Sequence, residues 1–396
     1  MKNADADALA RLKIRARRIA DALPPDARAQ ALSTEKGRAA FSRAAQRILK
    51  RERAVGASVV LLDRSGQTHT FCFGRARLSP KTPVTPETCL RVASVSKLVM
   101  TFGALSLCES GQLKLDADLS SLLGYRVRSP HFPDTPVTLR MLLTHTSGIC
   151  DEGNYGTRGM QRSCTLRELL ENPANWLKSA PGAAFHYSNL GAGVAGVAME
   201  CAAKAPFEAI MQERVFEPLG IRASYDPAAI APADALADGY SVRGFLPPMK
   251  KYDAAQLTKR PPQGFDPETD YLIAAGRMIT DSRGMAALVR LLASQDGMGV
   301  LAPESLQLMR QAQDGMGGIS ACGRGLNVAF LPGVFPGFNA LGHQGVAYGM
   351  CAELFADPAR GCGVGLLTSG ARLVQVPPLM RAGFDLLALG FAAINV

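Results

Sequence analysis

Strand-like segments lie near both ends of the 396-residue chain, on either side of a middle part with helical periodicity. Residues 57–74 form two β-rich runs about a tight polar turn, which predicts a hairpin. After about residue 325 the strand pattern returns, and residues 376–391 predict a closing helix. Residues 137–265 show helical segments and long polar loops but no alternating strand pattern. The sequence therefore predicts an α/β (α+β) fold: an antiparallel sheet flanked by helices, built from both chain ends, with an inserted all-α domain.

The same pattern suggests domain boundaries. We expect a basic N-terminal helical extension over residues 1–34, a discontinuous α/β domain over 35–115 and 268–396, and a mainly helical domain over 116–267. A cleft between two such domains is a usual place for a ligand site, so the active site is expected there.

Positive charge is concentrated at the N-terminus. The formal net charge is +10, and residues 1–53 alone hold 14 Lys and Arg against 6 Asp and Glu, a net of +8. Such a segment can bind nucleic acid or a membrane surface, but aromatic residues do not alternate with these arginines. We interpret it as a solvated helical face and predict no nucleic-acid partner; a tether to anionic partners is the alternative.

Cysteine usage and apolar runs bear on the compartment. The chain has nine cysteines, an odd number, and no C-x-x-C pair, which is typical of reduced cysteines in a cytoplasmic protein. Cys150 and Cys164 flank one polar loop and could pair in an oxidising compartment. No signal-peptide pattern is visible, and no apolar run reaches the ~18 residues of a membrane span. We expect a cytoplasmic protein, with a periplasmic or secreted mature chain as the alternative.

The stretch RVASVSKLVM at 91–100 places a lysine at the start of an apolar helix predicted from Ser94 to Ser110. Residues three apart on a helix share a face, so Ser94 and Lys97 project together whereas Ser96 does not. A serine hydroxyl becomes a nucleophile when a base takes its proton, and a buried lysine can be that base. The helix N-terminus favours the negative charge that develops. Ser94 is therefore the candidate nucleophile.

Two further motifs add polar groups. In Tyr187-Ser188-Asn189, the tyrosine could act as a base or proton shuttle, and the asparagine could orient a lysine and hold a substrate carbonyl. In His343-Gln344-Gly345, within a strand pattern, the glycine allows close approach of a substrate backbone. The backbone N–H groups of Ser94 and Val346 are candidate donors to an oxyanion.

S-x-x-K, Y-x-N and a [K/H]-x-G strand, in that order, resemble the serine β-lactamase and penicillin-binding-protein-like superfamily. The resemblance is strongest to its class C-like branch, which includes esterases, D-aminopeptidases and D,D-peptidases. It covers roughly residues 36–390, and segments such as VTLRMLLTHTSGI at 137–149 agree with it.

The resemblance implies roles for these residues. Ser94 would be acylated, Lys97 and Tyr187 would share the proton transfers, and Asn189 would position Lys97 and the substrate. His343 stands where β-lactam-directed relatives have the lysine of a K-T-G motif. A neutral histidine pairs less strongly with a substrate carboxylate, so we expect poor β-lactamase activity and cleavage of esters or peptides.

Other chemistries are disfavoured. There is no G-x-S-x-G elbow, and the five histidines have no H-E-x-x-H spacing, so neither a metal nor a cofactor is predicted. His145 and His186 are interpreted as structural, and Trp176 as core or cleft wall. Polar loops at 150–163 and 244–266 are expected to rim the cleft.

The predicted function is a serine hydrolase that forms a Ser94 acyl-enzyme with small ester, amide or peptide substrates. A weak β-lactamase, a D,D-peptidase-type penicillin-binding protein and a penicillin sensor without turnover are the alternatives.

Overall fold

The computed structural model describes residues 2–24, 32–153, 164–230, 232–254, 270–313 and 323–394. Within this part of the chain, most strands are grouped near the two ends, and a run of helices without strands extends from Val95 to Leu219. The strands are β1 Gly56–Leu62, β2 Thr68–Leu78, β3 Lys81–Pro83, β4 Leu90–Arg91, β5 Ala223–Ser224, β6 Gly239–Ser241, β7 Met249–Tyr252, β8 Ile279–Thr280, β9 Ala329–Pro332, β10 Asn339–Ala347, β11 Met350–Asp357, β12 Cys362–Gly370, β13 Gln375–Val376 and β14 Leu379–Met380.

The helices range from single turns to 19 residues. They are α1 Lys2–Ala20, α2 Glu35–Arg51, α3 Val95–Glu109, α4 Leu119–Leu123, α5 Leu139–Leu143, α6 Leu166–Glu171, α7 Asn189–Ala203, α8 Phe207–Met211, α9 Glu217–Leu219, α10 Ile273–Gly276, α11 Ser282–Ala293, α12 Pro303–Arg310 and α13 Arg381–Ala393. Within the described residues, no helix is both long and apolar enough to cross a membrane.

One antiparallel sheet joins the two ends of the chain. Within the described residues its strand order is β3-β2-β1-β12-β11-β10-β9. Strand β1 pairs with β2 on one side and with β12 on the other, so Leu62 lies opposite both Thr68 and Gly363. The predicted mixed fold with an antiparallel sheet built from both chain ends is confirmed.

Both faces of this sheet are covered, which explains why β1 reads as a continuous apolar run. Side chains alternate between faces along a strand. Val59 belongs to a core cluster with Phe41 of α2 and Phe384 of α13. Its neighbour Val60 belongs to a second cluster with Met285 of α11 and the buried residues of α3. The second cluster continues into the helical region, so α3 lies between sheet and helices.

The basic N-terminal helix packs on the body of the protein. Leu12 and Ala16 of α1 are buried in the same cluster as the closing helix α13. Arg15 donates two hydrogen bonds of 2.7 Å to the carboxylate of Asp385, which is fully buried, and Arg51 of α2 pairs with the same carboxylate. Part of the basic charge therefore neutralises a buried acid, which sequence composition did not show.

The central part of the chain is less purely helical than predicted. Strand β5 joins β8 and β4 in a small three-stranded sheet, and β6 pairs with β7. The prediction of no strands there was wrong because these strands have only two to four residues, too few for an alternating pattern. The eight described cysteines, including Cys150 and Cys164, are free thiols.

A buried acid lies on β11 directly behind the strand β10. Glu353 is fully buried and pairs in register with Gln344, whose side-chain amide donates to Glu353 Oε1. The Cys351 thiol is 3.5 Å from the same oxygen, and Glu353 Oε2 has no hydrogen-bond partner among the described residues. Burial raises the pKa of Glu353 from an ordinary 4.5 to about 8.

This raised pKa predicts a stability that declines with pH. The folded chain retains the proton on Glu353, so this stabilisation is complete below pH 4.5 and is lost as pH rises through about 8. We expect the free energy of unfolding to fall by about 2–3 kcal/mol between pH 6 and pH 9 from this group alone. Glu353→Gln should remove that part of the decline. Urea unfolding of both chains at both pH values measures it, and equal declines would contradict the assignment.

Candidate active site

The turn before α3 sets Ser94 at the helix mouth. Ala93 has φ +48°, in the left-handed region that residues with a Cβ rarely occupy. Ser96 holds this turn: its hydroxyl donates to the Ala93 carbonyl at 2.6 Å and accepts from the Met278 N–H at 3.1 Å. Ser96 is fully buried, whereas Ser94 is half-buried. Of the two serines, Ser96 has a structural role, and Ser94 remains the candidate nucleophile.

Lys97 is fully buried and surrounded by oxygen atoms. Its Nζ lies 3.1 Å from Ser94 Oγ and 2.8 Å from Asn189 Oδ1, and it also donates to the Ala275 carbonyl of α10. The last two oxygens can only accept hydrogen bonds. An ammonium at this position donates to all three oxygens. In the neutral amine that a base requires, the two pure acceptors would take the N–H groups and the lone pair would face Ser94 Oγ. This arrangement suits a base that activates Ser94.

Tyr187 lies between Lys97 and a buried histidine. Lys97 Nζ is 5.1 Å from the centroid of the Tyr187 ring, and the His145 ring lies at a centroid distance of 4.5 Å from it. His145 has φ +58°, and its Nδ1 accepts a hydrogen bond of 3.2 Å from the Ser188 N–H. The His145 carbonyl accepts another from the His186 N–H at 2.8 Å. His145 therefore supports the turn that carries Tyr187.

Asp151 binds the turn from the other side. Its carboxylate accepts hydrogen bonds from Ser188 Oγ at 2.8 Å, Asn189 N at 2.9 Å, Asn189 Nδ2 at 2.9 Å and Leu190 N at 3.0 Å. These groups form the N-terminus of α7, where a negative charge is stabilising. Asp151 was not predicted as a site residue, because no local spacing connects it with its partners 37 to 39 positions later.

Strand β10 runs beside the backbone of Ser94. A Cβ on Gly345 would lie 2.0 Å from the Val92 carbonyl oxygen and 2.9 Å from the Ser94 nitrogen, so only glycine fits. Strand β9 pairs with β10 only as far as Gly342, and residues 343–347 form an edge towards α3. The Ser94 N–H has no acceptor among the described residues, which suits the predicted oxyanion donor.

A model of the beta-lactamase family matches residues 41–382, most of the chain. The chain belongs to the beta-lactamase family.

The proteins to which this chain is similar include an esterase and a peptidase. Esterase EstB of Burkholderia gladioli is 30% identical over 84% of this chain and 90% of its own length. The D-alanyl-D-alanine-carboxypeptidase/endopeptidase AmpH of Escherichia coli K12 is 30% identical over 44% of this chain, and the match spans only 46% of AmpH. The solved structure of EstCE1, a hydrolase with promiscuous acyltransferase activity, is 26% identical with a TM-score of 0.69, over 90% of this chain and 98% of EstCE1.

Both site histidines of this beta-lactamase family member are neutral. Burial, and next the Lys97 charge, lower the pKa of His343 to about 3 and that of His145 well below 6.5. His343 Nδ1 lies 2.6 Å from the Gln344 carbonyl oxygen. Because a carbonyl oxygen can only accept a hydrogen bond, the ring proton is assigned to Nδ1. Its Nε2 is then an acceptor, and position 343 offers no cation to a substrate.

The sequence-predicted residues come together in this family member with one exception. Ser94, Lys97 and Asn189 form one hydrogen-bonded group beside Tyr187. The proton transfers implied for Tyr187 require its hydroxyl near Ser94 Oγ, but no hydrogen bond between these two groups is among the described contacts. Hydrogen bonds of catalytic groups often tighten only when substrate binds.

Two other predictions concern residues farther from Ser94. Trp176 lies in the core, and its indole N–H donates to the Leu170 carbonyl at 2.8 Å. Most of the two loops predicted to rim the cleft, 150–163 and 244–266, lies outside the described residues, at 154–163 and 255–266.

Proposed function

We propose that the protein is a serine hydrolase that cleaves neutral esters or amides through an acyl-enzyme on Ser94. The observation that carries this proposal is the contact between Lys97 Nζ and Ser94 Oγ at 3.1 Å, with pure acceptors, Asn189 Oδ1 and the Ala275 carbonyl, as the other partners of Nζ. Membership of the beta-lactamase family and the likeness to EstB support the same chemistry.

The proposed reaction has two half-reactions. Lys97 takes the proton of Ser94 as Oγ bonds to the substrate carbonyl carbon, and the N–H groups of Ser94 and Val346 stabilise the oxyanion. The proton then passes to the leaving alcohol or amine, with Tyr187 as shuttle, and the carbon–heteroatom bond breaks. In the second half a water molecule gives its proton to the same base and attacks the Ser94 ester. The acid is released and Ser94 regains its proton.

The substrate class follows from His343. β-Lactams and peptide C-termini present a carboxylate, and recognition of a carboxylate by a charged donor is stronger than by a neutral group. Because His343 has a pKa of about 3 and presents an acceptor, a carboxylate at this position gains no ion pair. We therefore infer a preference for uncharged acyl groups over β-lactams.

A substrate panel tests the proposal. The parent chain should hydrolyse p-nitrophenyl acetate and butyrate with a kcat/KM well above its value for a chromogenic cephalosporin and for a peptide ending in D-alanyl-D-alanine. Turnover of the cephalosporin at a comparable kcat/KM would favour the β-lactamase alternative. Stable labelling by penicillin without ester turnover would favour a sensor.

His343→Lys tests the inference about charge. A lysine ammonium can pair with a carboxylate, so we expect acylation by the cephalosporin to rise by about tenfold, the effect of one charge-assisted contact. The kcat/KM of His343→Lys for p-nitrophenyl acetate should not rise. His343→Gln, which is neutral, is the matched control and should give no rise. If His343→Lys and His343→Gln change the reaction with the cephalosporin to the same extent, charge at position 343 does not control recognition, and the inference is wrong.

A further inference from the structure

We propose that Asp151 is a positioning residue of the active site, which fixes the amide orientation of Asn189 and thereby directs the lone pair of Lys97 at Ser94. This inference rests on the proposed function, because it assigns a role within the same Ser94 chemistry. It concerns a residue that none of the three sequence motifs contains.

The contacts of Asp151 converge on the segment that bears Asn189. Four donors from residues 188–190 surround its two oxygens at 2.8–3.0 Å. One oxygen, Oδ2, accepts from both the backbone and the side-chain nitrogen of Asn189. The other, Oδ1, accepts from Ser188 Oγ, which itself accepts from the Gly191 N–H at 2.8 Å. The carboxylate thus holds both the start of α7 and one side chain at its first residue.

An asparagine side chain has two nearly equivalent orientations that exchange its oxygen and nitrogen. A carboxylate is an acceptor only, so Asp151 Oδ2 can pair with Asn189 Nδ2 but not with Asn189 Oδ1. This contact forces Oδ1 to the opposite side, where it lies 2.8 Å from Lys97 Nζ. Asp151 Oδ2 is an acceptor and Lys97 Nζ is a donor, so both can form a hydrogen bond with the Asn189 amide only in the observed orientation.

The opposite orientation would disable the base. Asn189 Nδ2 would then face Lys97 and donate to the lone pair of the neutral amine. That lone pair is the group that must take the proton of Ser94 Oγ, 3.1 Å away. The orientation of one amide therefore decides whether Lys97 accepts a proton from Ser94 or a hydrogen bond from Asn189.

A double-mutant cycle on kcat/KM for p-nitrophenyl acetate tests this role. In Asp151→Asn an amide nitrogen can replace Oδ2, and Asn189 can turn its oxygen towards it. We expect kcat/KM to fall by about 10- to 100-fold, mostly in kcat, in the parent background. In an Asn189→Ala background, Asp151→Asn should lower kcat/KM by less than about threefold, because the amide side chain through which Asp151 acts is already absent.

The outcomes separate this proposal from the proposed function. Equal losses in both backgrounds, or a parent-like Asp151→Asn, would overturn the role of Asp151 while leaving Ser94 chemistry intact. A parent chain without ester turnover or a Ser94 acyl adduct would instead overturn the proposed function.

Asp118→Asn is the matched control for stability. Asp118 likewise caps a helix, α4, and pairs with Arg128, but no predicted site residue is among its described partners. It should lower the melting temperature and leave kcat/KM unchanged. A loss of kcat/KM in this control as large as that of Asp151→Asn would show a general effect of stability and overturn the positioning role.

Discussion

Ser94→Ala should abolish the burst of p-nitrophenol that the parent chain releases from p-nitrophenyl acetate, and should lower kcat by about 10⁴-fold or more. The parent burst should equal the enzyme concentration, because one acyl group binds per Ser94. The reason is that Ser94 Oγ is the hydroxyl in contact with Lys97 at the accessible end of α3. Intact-mass measurement after quenching should show an acetyl adduct on the parent and none on the variant.

Ser96→Ala is the matched control within the same motif. Ser96 is buried and uses its hydroxyl to bond Ala93 and Met278, so the substitution should destabilise the fold by about 1–3 kcal/mol. The folded fraction should still give a burst and an acetyl adduct. A burst that survives Ser94→Ala and disappears in Ser96→Ala would reverse the assignment of the nucleophile.

Lys97→Met should have the second largest effect, a loss of about 10³-fold in the rate of Ser94 acylation. Methionine has a similar length and no basic nitrogen, so Ser94 loses the base that lies 3.1 Å from its hydroxyl. The side chain is fully buried, and a thioether is easier to bury than a polar amino group. We therefore expect a folded variant, and rapid-quench acylation measurements beside a melting curve separate chemistry from folding.

Tyr187→Phe is the companion variant that identifies the base. The phenol has no hydrogen bond to Ser94 among the described contacts, and its ring is 5.1 Å from Lys97 Nζ. We expect a loss of about tenfold, from proton shuttling alone. If Lys97→Met acylates within tenfold of the parent while Tyr187→Phe is inactive, the tyrosine is the base and the assignment of Lys97 is wrong.

Much of the site was predictable where it depends on local periodicity. The i, i+3 spacing that puts Ser94 and Lys97 on one face follows from helix geometry, and α3, at Val95–Glu109, lies within one residue of the predicted Ser94 to Ser110 at each end. The strand pattern at both chain ends likewise predicted the sheet, because each β-strand of five or more residues carries its own apolar signal. The two-residue strands β4, β5 and β8 carry none and were missed.

The remaining features depend on contacts between distant parts of the chain. Asp151 meets Asn189 across 38 positions, and Lys97 meets the Ala275 carbonyl across 178. A backbone carbonyl has no residue type, so no sequence pattern marks Ala275. The neutrality of His343 is of the same kind, since burial and the nearby Lys97 lower its pKa, and both come from packing.

By itself, the sequence determined the fold class, the family resemblance and the identity of the serine beside Lys97, because helix and strand periods are local properties of the chain. Only the tertiary structure decided which partners surround that lysine and that the ring at position 343 is uncharged. Hydrogen-bond partners and the cost of burying charge are set by what the folded chain places within a few ångströms, and this depends on all of its elements together.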